Sequence, residues 1–249
     1  DFDWKPLALV PLLVLAALPL VGSGSTWVTL TVAGLAMGMI IFVIASGLTL
    51  IFGITRIVNF AHGSFYMLGA FLTYQAMPYL APDTAGGFAL AVLVAAVTVA
   101  VLGMAFEVLV LRRIYGADDS LQLIITLALV LVIRDVVRAI WGPSNVTVPM
   151  PADLSGALQV GGSYFPVFQL VVFGMGLIVV LLMIAAIRYT RAGILLRAAA
   201  DDRGMVALLG INQARIFTGV FTAGCFLAGL AGGLAAPFGN VNYLLDTTV

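Results

Sequence analysis

The chain has 249 residues, 63% of them apolar and only 9% charged, and its eleven basic and eleven acidic side chains cancel to zero net charge. An ordinary soluble domain carries roughly a quarter charged residues, so this composition, with a mean hydropathy of +1.18, excludes a water-soluble globule and points to a polytopic membrane protein. The scarce residues exclude most enzymes too: Lys5 is the single lysine and leaves no Gly-Lys-Ser/Thr phosphate loop, while a lone His62 and a lone Cys225 make neither a multi-histidine metal site nor a disulfide.

A hydrocarbon core of about 30 Å needs about 20 apolar residues per helix, and runs of that kind predict an all-α bundle with about seven hydrophobic segments in one domain over 1–249. The first, 7–22, is short and broken by Pro11 and Pro19. Acidic Asp1 and Asp3 argue against reading it as a signal peptide. The second, 27–54, spans with tilt. Its Gly34, Gly38 and Ala45 share a narrow face with Thr49 nearby, a small-residue pattern that predicts contact with another helix of the bundle. The third, 65–80, is short and ends at Pro78 and Pro82. Then come 86–111, 121–141, 166–187 and 216–236. On the last, Gly224, Ala228, Ala231, Gly232 and Ala235 fall within about 100° of helix surface. No stretch alternates at period two for long enough to build a lipid-facing barrel.

Basic residues set the orientation. With Lys5 and the N-terminus in the cytoplasm, seven crossings put Arg56, Arg112, Arg113, Arg188, Arg191, Arg197, Arg203 and Arg215 inside, and the loops near Gly24, Pro82 and 143–164 hold no Lys or Arg. The chain then ends outside at Val249 after an odd number of spans, which reads as a permease lacking further C-terminal helices.

Four polar interruptions stand out. Residues 55–64 hold Thr55, Asn59, His62, Gly63 and Ser64, candidates for a translocation path. One reading is a broken helix whose free amides and half-helix dipole meet a polar ligand. The other is a cytoplasmic turn with Arg56 at the headgroups and Asn59 capping the next helix. His62 and Ser64, two apart, do not face each other on a helix, which removes a Ser–His protease. Arg134, Asp135 and Arg138 form a polar cluster near the outer end of the fifth segment. Either they snorkel to the headgroups or they meet a substrate carboxylate or a docked protein. Glu107, five residues before Arg112, predicts a local ion pair. The fourth interruption, 188–215, is the longest interior loop; Ala198, Ala199, Ala200, Val206, Ala207, Leu208 and Leu209 predict one short helix there, closed by a left-handed cap at Gly210. Such a helix suits either a groove on a soluble partner or the headgroup layer. Residues 142–163, rich in Pro and Gly, predict only a long outer loop.

The stretch GLTLIFGITRIVNFAHGSFYMLGA at 47–70 closely resembles permease subunits of branched-chain amino acid ABC transporters, the LivH type. GILLRAAADDRGMVALLGIN at 193–212 is similar to the cytoplasmic loop by which these permeases engage their ATPase, and AGLAGG at 228–233 also fits. The resemblance runs from about residue 28 onward and departs in the extra N-terminal run and the absent C-terminal helices. It implies a multi-pass subunit of a bacterial inner membrane importer for branched-chain or other hydrophobic amino acids. Its expected partners are a second permease subunit of similar type, two cytoplasmic ATPase subunits, a periplasmic substrate-binding protein and the lipid bilayer, with no nucleic acid. The chain itself would be no enzyme and hold no metal or cofactor, ATP staying on the partner subunits. Arg197, Ala198, Asp201, Asp202, Ala207, Gly210, Ile211 and Asn212 would form the ATPase-coupling loop. Urea or a short amide remains open as cargo. An ion-coupled secondary transporter would want acidic or histidine groups at the midplane, which the second, fourth, sixth and seventh segments lack. A passive channel is weaker still, since Asn59-Phe60-Ala61 lacks the proline and second copy of the aquaporin motif.

Overall fold

The helices follow one another as α1 (Lys5–Ala16), α2 (Leu18–Val21), α3 (Gly24–Thr55), α4 (His62–Ala76), α5 (Ala85–Leu109), α6 (Asp119–Trp141), α7 (Val167–Tyr189), α8 (Arg191–Asp201), α9 (Arg203–Leu208) and α10 (Gln213–Ala235). The computed structural model describes residues 5–80 and 83–247. Asp1, Asp3, Pro82 and Val249, and the side chains of Arg203 and Ala207, lie outside the described residues. Four helical stretches are long and apolar enough to cross a membrane: Gly24–Thr55, Ala85–Arg113, Val167–Tyr189 and Gln213–Phe238. Of the other predicted segments, α6 carries Arg134, Asp135 and Arg138, α4 is only 15 residues long, and the first run is a short helix with a break at Ala17.

α10 is the axis of the molecule. It packs against α3, α4 and α5 together, and most of its apolar length is buried. Lipid gives helices no hydrophobic reason to associate, so the contact depends on how closely backbones approach. Gly224 lies against Ile51 and the Gly47 carbonyl, Gly229 against Ala96 and Val99, and Gly232 against the Tyr66 carbonyl. Gly69 answers from α4 by meeting the Gly229 backbone, and Gly103 of α5 receives Cys225. The small-residue face expected on α10 is therefore the packing face; Ala228, Ala231 and Gly232 are buried on it.

The matching expectation for α3 is corrected. A Cβ at Gly34 or Gly38 meets nothing within 4 Å. Both open onto an apolar groove between α1, α3 and α7, and it is Ala36, Ile40, Val43, Ile44 and Gly47 that face inward. α7 packs on α3 beside that groove and leaves most of its surface exposed. Trp27 donates its ring N–H to the Val14 carbonyl at 2.8 Å, holding the first helix against the start of α3.

The two ends of the bundle differ in kind. At the end opposite the basic loops, Phe88, Phe168 and Phe238 pack in a row, edge-on and tilted, with centroids 5.7 and 5.0 Å apart. The outer loop is more ordered than expected. Its β1 (Val146–Thr147), β2 (Ala157–Val160) and β3 (Ser163–Pro166) form two small antiparallel ladders, β2 with β3, and β1 with β4 (Asn240–Val241) from beyond α10. Gly161 and Gly162, at φ +59° and +83°, supply the tight β2–β3 turn. At the basic end, the single helix expected in 188–215 is two. Asp202 is extended (φ −144°, ψ 102°) and breaks the run, and its Oδ1 accepts from the Met205 N–H at 3.0 Å to start α9. Gly210 (φ +76°) supplies the expected left-handed end.

Gly69→Val would drive a branched side chain into the Gly229 backbone, so it should destabilise the fold by about 3 kcal/mol or more. Gly219→Ala, whose Cβ meets nothing within 4 Å, should be nearly neutral. Thermal unfolding of both variants in detergent checks the contrast.

Candidate functional site

The 55–64 segment resolves between its two readings. α3 ends where Arg56 takes the left-handed conformation (φ +56°), its N–H donating to the Phe52 carbonyl at 2.8 Å. The chain then turns back along α3 rather than staying at its end. His62 lies against Gly47, and its Nε2 bonds the Ile44 carbonyl at 2.9 Å. Ile44 is eleven residues before Thr55, about 16 Å up the axis. Residues 57–61 thus climb from the basic end to the middle of the bundle, where α4 begins as a half-helix. Polar backbone at that depth is tolerable only against protein; Ile57, Asn59 and Ala61 are buried on the bundle, while Val58 and Phe60 face outward, 41% and 50% exposed. The segment has the geometry of a broken helix, and the cap expected from Asn59 does not form: Ala61 holds the N-cap position of α4 without a side-chain bond, and Asn59 instead shapes the turn ahead of it. The Asn59 Oδ1 accepts from the Ala61 N–H at 3.1 Å, and its carbonyl from the His62 N–H at 3.1 Å.

The described residues include three buried side-chain polar atoms without a hydrogen-bond partner, and two of them sit here: Asn59 Nδ2 and His62 Nδ1. Both residues are at least nine-tenths buried, with 2% and 5% of their surface exposed. Because His62 Nε2 meets a carbonyl, it carries the proton in the neutral ring, and Nδ1 is an unused acceptor. Asn59 Nδ2 is an unused donor.

A residue the sequence reading passed over completes the site. Beyond α10, the 3-10 turn Ala236–Phe238 and β4 lead back inward to a second 3-10 turn, Leu245–Thr247. Asp246 on that turn seats on the first turn of α4. Ser64 Oγ donates to its Oδ2 at 2.9 Å, and its backbone carbonyl fills the space a side chain at Gly63 would need. Arg134 Nε reaches both carboxylate oxygens, at 3.0 and 2.9 Å. A carboxylate belongs at a helix N-terminus, where the dipole is positive. One turn outward on α6, the Arg138 guanidinium lies 5.8 Å from the Tyr243 ring centroid. Arg134 therefore does not snorkel; it is paired. Asp135 is exposed and takes no part. Thr55 is also apart, its hydroxyl closing the last turn of α3 through the Ile51 carbonyl at 2.8 Å. The available signal was subtraction: Arg134 at membrane depth required a counter-charge, and few of the eleven acids lie away from the basic end.

Beside Asp246 lies a cavity of about 450 Å³, lined mainly by Met37, Ile40, Ile41, Ile44, Tyr66 and Leu245. Neither the charge pair nor the two unsatisfied atoms line it; it reaches them through Leu245, the chain neighbour of Asp246, and through Ile44, whose carbonyl holds His62. The midplane also proves less bare than expected. None of the four apolar helices puts an acid or histidine there, but the two inward-turning segments bring His62 and Asp246.

At the basic end, the expected ion pair forms between Glu107 and Arg112 at 3.4 Å. Glu107 is fully buried and also accepts from Thr218 Oγ1 at 2.7 Å and Tyr115 OH at 2.9 Å, which fastens α5 to α10. In the 188–215 elbow, Arg197, Ala198, Asp201, Asp202 and Gly210 are exposed, Asn212 caps α10, and Ile211 is half-buried. Val206 anchors α9 inward, while Met205, Leu208 and Leu209 project, the two leucines 84% and 70% exposed.

A family model described as branched-chain amino acid transport system, permease component, matches residues 30–248. The high-affinity branched-chain amino acid transport system permease protein LivH of Escherichia coli K12 is 29% identical over 221 residues, covering 84% of this chain and 70% of that protein. LivH of Salmonella typhimurium gives the same figures, 29% over 84% and 70%. The permease protein BraD of Pseudomonas aeruginosa is 28% identical over 219 residues, 85% of this chain and 71% of that protein. No solved structure matches the chain.

Asn59→Ala removes the side-chain bond to the Ala61 N–H that shapes the turn into α4 and should lower stability by about 1 kcal/mol, with Asn59→Ser, which makes the same turn more weakly, losing less. Thermal melts of the purified variants measure the difference.

Proposed function

The chain belongs to the branched-chain amino acid transport permease family, and on that premise we propose that it is the membrane-spanning subunit of an ATP-driven importer carrying branched-chain or other hydrophobic amino acids. It works with a second permease subunit, two ATPase subunits and a substrate-binding protein, in a bacterial inner membrane with the N-terminus and the α8–α9 elbow in the cytoplasm. ATP is hydrolysed on the partner chains. The single lysine, Lys5, which leaves no phosphate loop here, supports that division.

The observation that carries the reading is the elbow. Leu208 and Leu209 stand exposed at the charged end of the bundle, between Asp201, Asp202 and Arg197 on one side and the Gly210 cap on the other. Two exposed leucines framed by charges fit an apolar groove on a soluble partner. The elbow is also stiffly attached. Thr190 caps α8 by accepting from the Gly193 N–H at 3.0 Å, and Gly193 lies against the Ile187 and Ala186 carbonyls. Asn212 begins α10 on the other side. A push on the tip therefore passes to α7 and α10 together. From α10 it reaches the half-helix α4, so an ATPase cycle at the elbow would open the central path alternately to each side. An ion-coupled mechanism has less support, because Asp246 is held by Arg134.

Leu208→Glu combined with Leu209→Glu should cut copurification of the ATPase by about tenfold while the chain still inserts into membranes. Gly210→Pro, which cannot adopt φ +76°, should act in the same direction. Wild-type recovery of the ATPase with both variants would remove the elbow from the coupling role.

A further inference from the structure

We infer that the Arg134–Asp246 pair is the element that recognises a zwitterion: an aliphatic α-amino acid enters between the two residues, its carboxylate taken by Arg134 and Ser64, its ammonium by Asp246, and its side chain by the cavity beside Leu245. The inference rests on the importer reading above and goes further by placing the cargo.

The argument begins with charge. The Asp246 side chain is 2% exposed and that of Arg134 26%, so separating the pair leaves a buried carboxylate without its partner, at a penalty. A neutral guest such as urea offers no compensation, so it would leave the pair shut. A zwitterion replaces one ion pair by two and keeps the site neutral throughout. The unused polar atoms point the same way. Asn59 Nδ2 is a donor suited to a carboxylate and His62 Nδ1 an acceptor suited to an ammonium, both buried on the segment that leads to Ser64, where Asp246 is held. The positive end of α4 also favours a carboxylate. Finally, the chamber is apolar and in the size range of small-molecule sites, roughly 300–1,000 Å³, and Leu245 joins it directly to Asp246. Charge at one end and hydrocarbon at the other describe an aliphatic amino acid.

The test uses the assembled transporter in proteoliposomes. A Leu245→Cys variant is labelled with a membrane-permeant maleimide and read on this chain by mass spectrometry, Cys225 being fully buried. Leucine at ten times its Kd should slow labelling about tenfold by occupancy. Leucinamide, without the carboxylate, and 4-methylpentanoate, without the ammonium, should not. Equal protection by all three compounds, or by none, would overturn the assignment. Exchanging the charges, Arg134→Asp with Asp246→Arg, supplies an independent arm. It restores an ion pair but reverses the site, so leucine uptake should stay at about a tenth of wild type or below. Uptake restored to wild-type level would make the pair purely structural and overturn the inference, with the importer reading intact. A wild-type complex that takes up no amino acid would instead sink that reading and this one with it.

Discussion

Because a bilayer does not squeeze apolar surfaces together, α10 holds three neighbours only by letting their backbones touch it. Gly224, Gly229 and Gly232 are the points of approach, met by Gly47 and Gly69 and by Tyr66. From that constraint the site follows. α4 is too short to cross the membrane, and it stays upright at mid-depth only because α10 and α5 grip it along its length. Its first turn is then available, well below the outer surface, to meet a charge.

That charge comes from a second segment that turns inward. Residues 56–61 rise from the basic end, and residues 239–247 descend from the other; they meet at Ser64 and Asp246. Each stretch of irregular backbone is made tolerable by local chemistry: Asn59 Oδ1 accepts from the Ala61 N–H, Thr55 closes the preceding turn, and Asn242 Oδ1 accepts from the Leu244 N–H at 3.0 Å. Arg134 completes the meeting point from α6. No single helix owns the site, so a shift of any one of the four elements changes it.

Much of the fold was legible in the sequence for a simple reason: apolar runs and the arginine partition report lipid and water directly. The four long apolar helices, the packing face of α10, the Gly210 cap and the Glu107–Arg112 pair all rest on local patterns. What was not legible depends on depth. The spacing of Thr55, Asn59 and His62 is equally consistent with a surface turn and with a climb to the midplane, and only the Ile44 carbonyl tells them apart. Gly34 and Gly38 look as suited to packing as Gly224 does, yet they open onto a groove, because composition says that a face permits close approach and nothing about which partner uses it. Asp246 was missed because its partner is 112 positions away and its neighbours read as a loop.

The pairing of β1 with β4 has a mechanical corollary. Val146 in the 142–163 loop is zipped to Val241, and only four residues lie between Val241 and Asp246. So short a tether transmits displacement almost without slack. The 142–163 loop and Asp246 are two ends of one lever, and a tug on that loop reaches the carboxylate without any long helix having to tilt.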